Sequence, residues 1–108
     1  MPRIDAYLEN LERHDARALL LESGRPIRLE LGPESRNLRK SCTTEEILAL
    51  VHEVMDADAR RKFVIDGHAR FAYRSPAVGP VSVAVERRGE QLRCEVSRAP
   101  GPRESTSD

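Results

Sequence analysis

The side chains best suited to acid–base, nucleophilic or metal chemistry are three histidines, two cysteines and a scatter of carboxylates. His14 stands beside Asp15, and a general base does need a partner to orient its ring. Adjacent residues in a helix-to-strand link do not face each other, so this pair reads as a polar helix end. His52 lies at the edge of an apolar helical face, one turn beyond Leu48. His68 is out of phase with the inward set Ala69, Phe71 and Tyr73, so it faces solvent or a partner. Cys42 precedes a helix N-terminus, where the dipole lowers a thiol pKa, but no base accompanies it. Cys94 belongs to an inward set and reads as a small core residue. Isolated histidines and cysteines do not make the close ligand pairs that zinc requires. The expectation is no catalytic residue, no metal site and no cofactor.

The charged residues are more informative. Glu45, Glu46 and Asp56 suit helix starts, where acids complement the dipole, and Glu53 and Asp58 add to that acidity. Arg60, Arg61 and Lys62 follow at once, and Arg70 and Arg74 occupy the outward phase of the next strand. These five are the candidate partner-binding residues. Together with the acids they describe a bipolar surface that docks a partner of complementary charge. The simpler reading is a solvated face, since 33% of the chain is charged. Arg87-Arg88-Gly89 has the composition of a hairpin tip, where arginine is ordinary.

With 108 residues the chain makes one domain, expected over 1–99, with a disordered tail at 100–108 of Pro, Gly, Ser, Thr and charge. Eighteen residues of each sign leave no net charge. A nucleic-acid partner is therefore not expected, because phosphate neutralisation needs a basic surplus. Two Phe, two Tyr and no Trp leave the core to Leu, Val, Ile and Ala. No apolar run approaches the roughly 20 residues of a membrane span, and the N-terminus lacks a leader-like apolar stretch. Membrane insertion is not expected, and a reducing cytoplasm is the default location.

The elements that must position these residues follow from periodicity. Ile4, Tyr7, Leu8 and Leu11 mark a helix over 3–13. Residues 17–22 read as a buried strand, 23–26 as a turn, and Ile27, Leu29 and Leu31 as a half-buried strand. A short strand at 37–40 follows. Thr43 and Glu46 fit a capping box ahead of a helix over 44–55, and Asp56 caps a further short helix through Phe63. Ala69 to Tyr73, Val81 to Val85 and Leu92 to Val96 alternate with period two, and their short links make an antiparallel meander. The expected fold is α+β: an antiparallel sheet of five to six strands with two to three helices on one face.

The order and several local strings resemble a known family. Ala18 to Leu29 runs strand, Gly24-Arg25-Pro26 turn, then a strand beginning Ile27-Arg28. A capped helix reaching Val54-Met55-Asp56 leads to a basic segment ending at Phe63, and hairpins close the chain. This is similar to the N-terminal, PAS-like domain of PilT-type twitching-motility and type II secretion ATPases, over nearly all of residues 4–98. The family's Ser-Asp-Leu-His string is here Arg17-Ala18-Leu19-Leu20. Its Arg-Phe-Arg strand is here Pro80-Val81-Ser82, which removes arginines able to face nucleotide. No G-x-x-x-x-G-K-[ST] occurs. The resemblance implies a PAS-like fold and a motility or secretion setting, without ATP hydrolysis.

Two functions are compatible with these residues. One is a non-catalytic protein-interaction or regulatory module, an adaptor in a pilus, motility or secretion system, whose partner is a motor ATPase or a second copy. The other is a sensor holding a small ligand such as a nucleotide, by analogy with PAS-like folds.

Overall fold

The strand Ala18–Glu22 (β1) carries four consecutive buried residues, the pattern of a strand covered on both faces. In the computed structural model, which describes residues 3–98, it lies inside a six-stranded sheet of order β3-β2-β1-β6-β5-β4. The other strands are β2 (Pro26–Glu30), β3 (Ser35–Ser41), β4 (His68–Ser75), β5 (Gly79–Arg88) and β6 (Gln91–Arg98). All neighbours are antiparallel. Two three-strand meanders thus meet along β1 and β6, where Leu19 stands opposite Val96 and Leu21 opposite Cys94. The expected tail at 100–108 lies outside the described residues.

Three helices, α1 (Ile4–Arg13), α2 (Thr44–His52) and α3 (Ala57–Asp66), cover one face of the sheet. Beneath them sit Leu19, Leu21, Ile27, Leu29, Val83, Val85 and Val96, with Ile4, Leu8, Leu11, Ile47, Val51 and Phe63 above. The alternation read from β4, β5 and β6 is the burial observed: Ala69, Phe71, Val81, Val83, Val85, Leu92, Cys94 and Val96 all point into this layer. The α+β architecture with helices on one face is as the sequence implies.

The capping box at Thr43 is complete. Thr43 Oγ1 accepts the Glu46 amide at 3.1 Å, and Glu46 Oε1 accepts the Thr43 amide at 2.8 Å. Asp56 Oδ1 likewise accepts the Ala59 amide at 2.8 Å and starts α3. Gly67 closes that helix in the left-handed region at φ 82°, a conformation glycine adopts without Cβ strain. The start of α2 is pinned to the last hairpin. Ser23 Oγ accepts the Leu92 amide at 2.8 Å, and the Thr44 hydroxyl sits 2.7 Å from it.

Four local expectations are corrected. Helix α2 stops at His52, short of 55, because the Asp56 cap requires an extended backbone (φ −85°, ψ 177°) and the chain must leave the helix first. The Met55 amide still returns to the Val51 carbonyl at 3.0 Å, so Met55 stays buried. Helix α3 runs three residues beyond Phe63, to its Gly67 cap. Pro26 opens β2 instead of ending the turn, a position where the missing N–H does no harm. Strand β3 extends the expected 37–40 segment to seven residues.

The larger correction is Asp5. The sequence puts it on the polar flank of α1, yet it is fully buried. Its carboxylate accepts the Tyr73 hydroxyl at 2.9 Å and a short hydrogen bond from Ser75 Oγ. Ser75 Oγ in turn accepts the Ala77 amide at 3.0 Å in the β4–β5 turn. A single carboxylate therefore ties the first helix to the end of β4. A buried carboxylate needs such partners, because leaving it unbonded costs far more than leaving a neutral polar group unbonded.

Two measurements test this account of the fold. Thr43→Ala removes one side of the capping box and is expected to lower unfolding free energy by about 1 kcal/mol, read from urea melts. The Tyr73 phenol is pushed up to about 12, chiefly by burial, then by its hydrogen bond to Asp5 and the charge there. A raised folded pKa means the folded state holds the proton longer. The associated stability is whole below the ordinary pKa of 10 and is lost as pH rises toward 12. Ultraviolet titration of phenolate in a Tyr7→Phe variant should show Tyr73 ionising late, with melting temperature falling over the same range.

Candidate interaction surface

The five cations singled out from sequence do not form one patch. Arg60, Arg61 and Lys62 lie exposed on α3, in the helix layer. Arg70 and Arg74 are exposed on β4, alternating with Ala69, Phe71 and Tyr73, which face the helices. They project from the opposite, helix-free face of the sheet. The period-two alternation of β4 that identified them as outward also sends them away from α3.

Helix α3 supplies a surface of mixed character. Its buried side is narrow, with Ala59 and Phe63 alone packed into the core. Its outward side carries Val64, 81% exposed, and Ile65, 73% exposed, beside Arg61 and Lys62. Arg60 is partly committed, since its Nη2 donates to the His52 carbonyl at 3.1 Å and so closes the end of α2. Arg61 pairs loosely with Asp58 at 3.6 Å. Arg87, read from sequence as an ordinary hairpin arginine, reaches this side instead. Its guanidinium lies 5.3 Å from the Phe63 ring centroid, a cation–π distance. No local string signals that placement, because it needs the β5 edge of the helix layer to be known.

The helix-free face is polar and registered by charge. Across β1, β6, β5 and β4 the partners run Glu22, Arg93, Glu86 and His68. The Arg93–Glu22 pair closes to 3.8 Å. Exposed pairs of this kind contribute little stability, but they keep an open sheet face soluble. Leu20 sits among these long side chains at 5% exposure. Two open depressions interrupt the face. One, of about 310 Å³, is lined by His68, Arg70, Ala84, Glu86, Arg93 and Glu95 among others. The other, of about 370 Å³, gathers Arg25, Arg28, Arg88 and Arg93 against Glu22 at the end of the sheet.

The remaining candidates for chemistry are dispersed. His14 follows α1, His52 ends α2 and His68 begins β4. Asp15 adopts φ 54° and lies fully exposed, its carboxylate 4.0 Å from Arg98 Nη1. Cys94 is buried in β6, and burial lifts its thiol to about 12. Cys42 precedes α2, but the helix start does not activate it. It is 2% exposed, and burial, seconded by the Glu46 carboxylate, pushes its pKa up, against the opposing pull of Lys40 and Tyr7. The helix start does not win because the sulfur is out of water. Among the described residues, no helix is long and apolar enough to cross a membrane.

Neither a protein-family model nor a curated protein matches this chain. Solved structures do. The pilus retraction motor PilT, determined with bound ADP, superposes with a TM-score of 0.81 at 19% identity, over 91% of this chain and 29% of that one. The Legionella pneumophila ATPase DotB superposes with a TM-score of 0.70 at 15% identity, over 90% of this chain and 28% of that one. The chain has the fold of a PilT-type N-terminal domain. It spans under a third of the length of each ATPase, and at these identities the likeness establishes the fold alone.

Proposed function

We propose that this chain is a non-catalytic protein-interaction module that serves a pilus, motility or secretion machine from the cytoplasmic side. The observation that carries the reading is the superposition of nine-tenths of this chain on part of a pilus retraction motor. A domain of that fold offers surfaces for pairing with a motor ATPase or with a second copy of itself. The outward side of α3 is the docking surface in this reading. Arg60, Arg61 and Lys62 steer an acidic partner at long range, and Val64 and Ile65 supply apolar area to exclude water on contact. Arg70 and Arg74 belong to a separate, helix-free surface.

A second reading, a small-ligand sensor, is favoured by one observation. The depression holding Arg25, Arg28, Arg88 and Arg93 is within the size range of small-molecule sites and attracts anions.

The tagged chain used as bait in an extract of its own cells tests the first reading, with retained proteins identified by mass spectrometry. Recovery of a pilus, motility or secretion component is expected, reduced about tenfold or more by Arg61→Glu with Ile65→Ser. Arg70→Glu with Arg74→Glu should leave it unchanged. Equal recovery with the α3 variant would reject that face as the docking surface.

A further inference from the structure

Charge in this neutral chain is not evenly spread. Between Ser23 and Cys42 there are five cations, Arg25, Arg28, Arg36, Arg39 and Lys40, against Glu30 and Glu34. Three of the five lie on β3, which has no acidic residue. None of these three forms a salt bridge among the described residues, whereas Arg3, Arg13, Arg61, Arg88 and Arg93 each do. Strand β3 is also one of the two edges of the sheet and, among the described residues, pairs with β2 alone. Every residue of it is exposed except the half-buried Leu38. Among the described residues its outer row of backbone donors and acceptors thus has no strand partner, and it is flanked by cations that have no carboxylate partner.

We propose that β3 receives an extended acidic polypeptide segment, which adds to the sheet as a further strand. Backbone pairing along an open edge supplies affinity without demanding a particular sequence, and side chains on alternate faces supply selection. Here the selection is electrostatic on both faces. Arg36 is registered with inward Leu29, and Asn37 with outward Arg28, so the edge presents cations above and below the sheet plane. The same charges reject the other obvious occupant. A second copy would have to offer its own β3, or its β4 edge with His68, Arg70 and Arg74, and either pairing sets cation against cation. The depression with Arg25 and Arg28 continues the positive field beyond the edge, and neither arginine has a carboxylate partner among the described residues. This inference shares with the proposed function the premise of a binding module, but it uses a surface remote from the α3 residues.

A fluorescein-labelled peptide of alternating Glu and Val, titrated into the full chain by anisotropy, tests the proposal. Three controls accompany it: a Lys-for-Glu analogue, an analogue N-methylated at alternate peptide nitrogens, and circular dichroism of every protein variant. The acidic peptide should bind, weaken as salt rises, and lose about tenfold or more affinity to Arg36→Glu/Arg39→Glu/Lys40→Glu in a chain that still folds. The Lys and N-methylated analogues should fail. Amide exchange should slow within 36–40. Equal binding of the N-methylated peptide, or protection mapped away from β3, would overturn strand addition. Absence of binding, or indifference to the triple reversal, would overturn the site. None of these results touches the α3 capture experiment, so the two ideas fail separately.

Discussion

The seam between β1 and β6 is the constraint on which the molecule depends. It joins residues about 75 positions apart in sequence, since Leu19 lies opposite Val96 and Leu20 opposite Glu95. On either side the strands are linked by short turns and pair locally, but nothing local holds the two meanders together. The seam works because β1 is apolar on both faces. Leu19 and Leu21 meet the helices, while Ala18 and Leu20 are shielded by the long side chains of β2 and β6. Closing so large a loop is entropically costly, and burial of aliphatic surface at roughly 25 cal/mol per Å² is the compensating force. The helices can then lie across both halves, with Asp5 bonding α1 to β4 and Ser23 bonding the first turn to the last hairpin.

What was legible in the sequence is what depends on near neighbours. The period-two runs in the last three strands, the Thr43–Glu46 box and the Asp56 cap are all decided within a few residues, and each appears as expected. What was not legible depends on partners far away. Asp5 looks like a helix-flank acid because its Tyr73 and Ser75 partners are some seventy residues distant. The burial of Cys42 is likewise invisible in the sequence, although the helix start beside it is not. The five cations look like one patch because α3 and β4 are adjacent in sequence, whereas the turn at Gly67 and the strand pleat send them to opposite faces. Arg87 was overlooked for the converse reason, since only the folded chain brings it over Phe63.

Function in such a fold has few places to reside. The helix layer is consumed by packing, and the helix-free face is a registered array of opposed charges with shallow depressions. That leaves the outer side of α3, where apolar area is exposed beside cations, and the free edges of the sheet. Both are the surfaces proposed for binding other polypeptides. Their character follows from the same composition that built the core: with aromatics nearly absent, aliphatic residues fill the interior and arginines fill the exterior. Arginine suits that exterior role, because its planar fork pairs with carboxylates in two bonds at once.

The central claim is that binding here is to protein and not to a small ligand. Isothermal calorimetry of the chain with a panel of nucleotides tests it most directly, since the Arg25, Arg28, Arg88 and Arg93 depression is the natural site for a phosphate-bearing molecule. The account predicts no saturable heat with any of them. A saturable heat that disappears on Arg25→Ala with Arg28→Ala would contradict it and assign the chain to the ligand sensors.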